Sequence, residues 1–441
     1  MWNLFVLCLM GYGLWAAMRS GSTEREPVIV PSRERLEGWK NVVEWCGLQV
    51  EESTAALFPQ LTARAEQVEV RIDAVGSQGQ DTRIEVKAPV APDFERVRIR
   101  PRPAQGMQVG DSGFDHAFSV EGPELQVFAL LDAGTRRRLL AVNAAGSLEI
   151  SPGQILAVVS GAASLSDVLP ALLAVRKRLG APIDVRRSLV ENVKRDPESG
   201  VRLQNLLLLL RELPRDPATA EALRAACSDR LPEIRLRAAR ELGDDASRKA
   251  LLELAHDLED DTWSAEAVSA LGPDLPVERA KALLGRAWST GRLRTALACL
   301  EVLGRSGAAA VEPLAEVLAL HNAKLATAAA RALEATGSPD AEPLLIQALQ
   351  HPESDVREAA AKALGRAGSA AAVLPLKETA ERFPLDLELR IATRQAIARI
   401  QSRIQGGSPG QLSLAGSEEG QLSLAEDPSG RISLSGDEKE S

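Results

Sequence analysis

Over residues 33–47 (RERLEGWKNVVEWCG) the apolar side chains Leu36, Trp39, Val42, Val43 and Cys46 return every third or fourth position. That spacing predicts an amphipathic helix closed by Gly47. The period then drops to two. Val68, Val70 and Ile72 alternate with Glu69, Arg71 and Asp73, a glycine-bearing turn follows at 76–79, and Ile84 and Val86 continue the pattern before Phe94, Val97 and Ile99. Further apolar runs at 117–120, 125–131, 139–142, 148–150 and 155–159 read as strands between Gly- or Pro-containing turns, and 167–179 as a closing helix. Residues 33–197 therefore predict a small α+β domain with a mainly antiparallel sheet.

Beyond it the period lengthens. Leu242, Leu271, Leu303, Leu333 and Leu364 recur at spacings of 29, 32, 30 and 31 residues, each leading a Leu-rich second segment. Repeats of this length predict stacked helical hairpins, because one hairpin is too small to bury its own apolar face. Ala runs at 328–330 and 359–361 allow close helix approach. Gly after the repeated Leu suits a helix C-terminus, and Pro313, Pro343 and Pro375 suit a first helical turn, whose N–H groups have no intrahelical partner. An α-solenoid is expected over residues 198–404, with residues 258–288 departing most from the pattern.

The two ends differ from both regions. Residues 2–18 carry no charge, and Trp2, Tyr12 and Trp15 lie near the ends of the stretch, so residues 1–19 predict a transmembrane anchor. Arg19, Arg25, Arg33, Arg35 and Lys40 all follow it, which places the bulk of the chain on the cytoplasmic side of the inner membrane as a single-pass protein. A cleaved export signal, giving a periplasmic protein, is the alternative, although no base precedes Arg19. Residues 20–32 form a linker. Residues 405–441 hold a ten-residue repeat (GQLSLA, GQLSLA, GRISLS), and from 406 on they carry seven acids and two bases. They predict a disordered acidic tail.

Charge and cysteine content narrow the function classes. A net charge of −9 argues against coating nucleic acid, and no nucleic-acid partner is expected. Cys8, Cys46, Cys227 and Cys299 form no C-x-x-C pair. No zincin, nucleophile-elbow, Walker or dinucleotide fingerprint is present, so no catalytic residue, cofactor or metal site is expected and the chain reads as a non-enzyme. His256, His321 and His351 fall at helix junctions. The candidate surface is the ladder Arg96, Arg98, Arg100 and Arg102, whose alternation puts four cations on one face of a strand. It suits headgroups or an acidic partner, or else a solvated sheet edge guarded by charge.

Two resemblances add to this reading. The run Gly110-Asp111-Ser112-Gly113-Phe114-Asp115-His116-Ala117-Phe118-Ser119-Val120 (G-D-x-x-F-D-x-x-F-x-V) resembles one in membrane-anchored bacterial proteins of uncharacterised function. There it enters a strand of a small, pleckstrin-homology-like domain. Asp111, Asp115 and His116 are of ligand type, although such aspartates more often cap turns. The pattern V-R-x-A-A-x-A-L-G-x-x-G followed by A-x-P-x-L is similar to bacterial HEAT repeats of the phycobilisome-lyase type over residues 200–404, best at 323–382. That resemblance implies an α-solenoid that binds macromolecules. The chain is expected to be a membrane-tethered scaffold that engages protein partners through the solenoid. A bilin-lyase-like or other cofactor-handling enzyme is the alternative.

Overall fold

The computed structural model describes residues 32–404 apart from 56–57, 77–78, 103–105, 161–163 and 321, and residues 412–413 and 423–424 farther on. Its contacts divide the chain into two units between Ala222 and Leu223.

The first described element of the first unit is α1 (Ser32–Trp45), whose Leu36, Trp39 and Val43 are buried. Among the described residues eight strands follow: β1 (Gln49–Thr54), β2 (Gln60–Ala65), β3 (Val68–Val75), β4 (Asp81–Lys87), β5 (Arg98–Pro101), β6 (Phe118–Glu121), β7 (Gly146–Ser151) and β8 (Gln154–Val159). They form one antiparallel sheet in the order β1-β2-β3-β4-β8-β7-β5-β6. Alternation explains its core. Val70, Ile72, Ile84, Val86, Ile155 and Ala157 are buried in successive central strands, as a sheet with one covered face requires. The cover includes α5 (Leu165–Gly180), which buries Val168, Leu169, Leu172, Val175 and Leu179 at helical spacing.

Two of the predicted strands are helices. Residues 125–131 lie in and just beyond α3 (Glu124–Leu130), and 139–142 lie inside α4 (Ala133–Ala145). A short apolar run does not distinguish the two conformations, and local capping decides here. Asp132 accepts a hydrogen bond from the Thr135 N–H at 2.7 Å and starts α4, which then buries Thr135, Arg136, Leu139 and Val142. The Gly110–Val120 run builds a short helix, α2 (Ser112–Ala117), before entering β6. Helices α6 (Val185–Arg195) and α7 (Ser199–Glu212) complete the unit, and the boundary falls within α8 (Pro217–Ala226).

The second unit is a solenoid in two layers. One layer holds α9 (Pro232–Leu242), α11 (Asp261–Leu271), α13 (Leu293–Gly304), α15 (Ala323–Ala335), α17 (Ser354–Ala367) and α19 (Leu387–Ile404), each touching the next. The other holds α10 (Asp245–His256), α12 (Val277–Ser289), α14 (Val311–Leu318), α16 (Ala341–Ala348) and α18 (Val373–Arg382). The repeated Leu271, Leu303, Leu333 and Leu364 are buried, each contributing about 1.5–3 kcal/mol by burial. Pro313, Pro343 and Pro375 are each the third residue of their helix, where no intrahelical acceptor is lost. Residues 258–288, despite their departure from the pattern, supply α11 and α12 like the rest.

The expected location is corrected. No helix among the described residues is long and apolar enough to cross a membrane, which overturns the single-pass inner-membrane assignment. The longest, α19, carries Glu388, Arg390, Arg394, Arg399 and Arg403 along its 18 residues, too many charges for a hydrocarbon core. Residues 2–18, on which the anchor was read, lie outside the described residues. So does most of the predicted tail; there Leu412–Ser413 (β9) and Ser423–Leu424 (β10) pair antiparallel, joining the first two copies of the ten-residue repeat.

Candidate functional site

In the first unit the chemistry-bearing residues converge on Arg136, which is 2% exposed. Its Nε donates to Asp111 at 2.8 Å, and its two terminal nitrogens donate to the two Asp196 oxygens at 2.9 and 2.8 Å. Nη1 also reaches the Leu131 carbonyl at 2.8 Å. Burial works against the guanidinium's charge, but Asp196 and Asp111 outweigh it and hold Arg136 more firmly protonated than usual. Burial likewise disfavours the Asp111 carboxylate. The hydrogen bonds from Arg136 and from the Phe114 N–H more than offset it and hold that carboxyl below its ordinary range.

The Gly110–His116 run serves this centre. Asp111 caps α2 through the Phe114 N–H, while Asp115 accepts from the Val109 and Gly110 N–H groups at 2.9 Å each. Gly110 has φ +92°, and a Cβ there would stand 2.4 Å from the Gly200 carbonyl carbon at the start of α7. Both constraints demand glycine. The two aspartates are thus engaged in loop closure and ion pairing, and His116 is exposed beside them. Among the described residues no three His, Cys, Asp or Glu side chains gather as a metal set.

Of the arginine ladder, Arg98 and Arg100 lie on β5, whereas Arg96 precedes the strand and Arg102 follows it. Val97 and Ile99 are buried, Arg98 and Arg100 half-buried, and Arg96 and Arg102 exposed. It does not form a sheet edge, because β5 lies between β7 and β6. The flanking strands bring acids to it: Arg98 pairs in register with Glu121, and Arg100 lies 3.8 Å from Glu121 and 3.4 Å from Glu149. Arg102 stands apart, on a cleft of about 330 Å³ with Gln108, Ser112 and His116. A wider open cleft, about 560 Å³, lies over the start of α4 and is rimmed by Arg178, Arg187, Glu191 and Arg195.

In the solenoid the arginine of the V-R motif is structural. Arg357 donates to the His351 and Pro352 carbonyls at 2.8 and 2.7 Å and sits 4.0 Å from the Phe383 ring centre. Arg390 reaches the Pro384 carbonyl, and in the first unit Arg202 reaches those of Asp196 and Pro197 in the same way. The shared geometry follows the shared sequence, HPESDVR at 351–357 against DPESGVR at 196–202. Gly304 and Gly365 occupy helical positions and not the turn expected of them. A Cβ would meet the Ala332 Cα at 3.0 Å and the Ala396 Cα at 2.8 Å, so these glycines permit close helix approach. Asp261 joins neighbouring repeats by accepting from the Arg294 and Thr295 N–H groups at 2.9 Å each. His256 ends α10, and His351 follows α16.

The sequence reading missed Arg136 and its partner Asp196, together with the outer face of α19. Eight large apolar side chains are exposed among the described residues, and five of them, Leu374, Leu385, Leu387, Ile391 and Ile404, lie at the end of the solenoid. Leu385 is 98% exposed and Leu387 64%. Arg394 and Arg399 flank them, also exposed. The signal was present: α19 has apolar residues on two faces, one more than a terminal helix needs.

Residues 311–398 match the family described as HEAT repeats. A search of curated proteins finds no match. Among solved structures, human deoxyhypusine hydroxylase is 17% identical with a TM-score of 0.22, over 49% of this chain and 96% of that one. The complex of CpcE and CpcF of phycocyanin lyase from Nostoc sp. PCC7120 is 21% identical with a TM-score of 0.28, over 50% and 96%. An engineered protein is 21% identical with a TM-score of 0.21, over 51% and 90%. The family match falls on the stacked helical pairs of the second unit, so residues 311–398 carry HEAT repeats, and a small antiparallel-sheet unit precedes this solenoid in the chain.

Proposed function

We propose that the chain is an interaction scaffold that binds a protein partner on the last helices of its HEAT solenoid, and that it is a binding protein and not an enzyme. One observation carries this reading. The interior of the solenoid is closed by Leu, Ala and Gly, while exposed large apolar residues gather on α18, α19 and the turn between them. Solvated apolar side chains concentrated in one region are a mark of association surfaces. Buried Arg136, Asp196 and Arg357 and half-buried Asp111 have partners within the protein and support the fold. The test is affinity capture with the wild-type chain and the L387E/I391E variant, after thermal unfolding has shown that the two are equally folded. Partners recovered by the wild type and lost by the variant are expected. Equal recovery overturns the assignment to this face.

A further inference from the structure

Helix α19 ends the series of first-layer helices among the described residues, and it has two apolar sides. Leu389, Ala392, Ala396 and Ile400 are buried. The opposite side begins with Leu387 and Ile391 and continues through exposed Arg394 and Ala398. Aligning the L-R of α19 with the V-R of α17 shifts the sequence by 33 residues and places Ala398 on Gly365, Arg394 on Ala361 and Ile391 on Glu358. On α17, Gly365 is where the next helix presses closest, through Ala396. The corresponding side of α19 is thus a helix-accepting surface with no described helix upon it.

We propose that the chain's own tail, residues 410–434, docks on this face of α19 and covers the surface assigned above to a partner. Three observations select this occupant. The first is reach. The tail leaves directly from Ile404, and α19, at 18 residues, is about 27 Å long. Eight to ten extended residues span roughly 27–33 Å, enough for residues 412–414 to return to Leu387. The second is apolar content. Leu412 with Leu414, Leu422 with Leu424, and Ile432 with Leu434 recur every ten residues, and the β9–β10 register pairs Leu412 with Leu424. The third is charge. Helix α19 exposes Arg394 and Arg399, its Arg390 and Arg403 being turned to backbone carbonyls, whereas residues 406–441 have seven acids and two bases, with Glu418, Glu419, Glu426 and Asp427 between the apolar pairs. A second copy of the chain is a poorer fit, since two facing α19 surfaces would oppose Arg394 and Arg399 to their own kind. Tethering makes even a weak contact effective, because it fixes the local concentration of the tail.

The test is amide hydrogen exchange of α19 in the full chain and in the chain ending at Ile404. Amides of residues 391–402 are expected to exchange roughly three- to tenfold faster without the tail. Their protection in the full chain should be independent of protein concentration and weaker in 0.5 M salt, as exposed ion pairs are screened on the order of that ionic strength. The substitutions E418Q/E419Q/E426Q/D427N lie outside the repeats, so folding of the solenoid is not at issue; they should remove part of the protection. Equal exchange in the two chains overturns the proposal, and so does protection that fades on dilution, which would assign the face to a second copy. The proposal rests on the same face as the scaffold reading, but the two fail separately. Tail protection is read without any partner, and partner capture by the shortened chain is read without any tail.

Discussion

The two units stabilise themselves in opposite ways. In the first, β4 is joined to β8 across nearly 70 residues of chain, and one buried arginine ties together a loop, α4 and the turn before α7. In the second, each helix contacts neighbours about one repeat away, and polar ties are many and small. Among the described residues the buried charged side chains are Asp73, Asp115, Arg136, Arg176 and Asp196 in the first unit and Arg357 in the second. A unit with a central ionic tie should fail at one point, whereas a stack of near-neighbour interfaces should lose stability in increments.

The sharpest way to break this contrast is Arg136→Ala. It leaves Asp196, about 1% exposed at its side chain, without its cation, and should cost about 3–5 kcal/mol. Differential scanning calorimetry should show one transition collapsing while the helical solenoid's transition persists; equal loss in both would show that the units do not differ in this way. Next is Gly365→Val, which brings a branched side chain against Ala396 and should cost roughly 1–3 kcal/mol. Gly285, in α12 with nothing within 4 Å of a built Cβ, is the matched control. There Gly→Ala should stabilise by about 0.4–1 kcal/mol in urea titrations.

Acid stability sharpens the comparison further. Burial tends to raise the Asp261 pKa, but the Thr295 and Arg294 N–H groups outweigh it and hold the carboxyl below its ordinary range. The Ser354 hydroxyl is the main cause of the same shift at Asp386. A depressed folded pKa means that stability is fully present above the unfolded value and is lost as pH falls through the folded one. Unfolding midpoints should therefore drop below about pH 4, and Asp261→Asn should remove part of that slope at a neutral-pH cost of about 1 kcal/mol. The smallest effect concerns the thiols. Burial pushes Cys227 up to about 11 and Cys299 up to about 12, so alkylation at pH 8 should label half-buried Cys46 before either of them.

The solenoid was the more legible unit, and locality is the reason. A repeat that returns every 29–32 residues shows its neighbours' sequence as well as its own, so Leu271, Leu303, Leu333 and Leu364 could be assigned to a shared interior without coordinates. Strands β3, β4, β7 and β8 were legible through strict alternation. Residues 125–131 and 139–142 were not, because a short apolar run fits either conformation and a single carboxylate, Asp132, settled the second. Of the arginine ladder only Arg98 and Arg100 lie on β5, and that strand is interior to the sheet and not the edge considered for it. Alternation is a property of one strand, whereas an edge depends on which strands lie beside it.

The same division runs through the candidate sites. Amino-acid order was enough to specify stacked helical pairs, the proline positions within them, and an acidic, leucine-bearing tail, since each depends on residues close in the chain. It did not reveal that Arg136 would meet Asp111 and Asp196 from 25 and 60 positions away, nor that α19 would keep one apolar side in solvent. Long-range pairing and exposure are settled only when all segments compete for the same space, and no local pattern records the outcome of that competition.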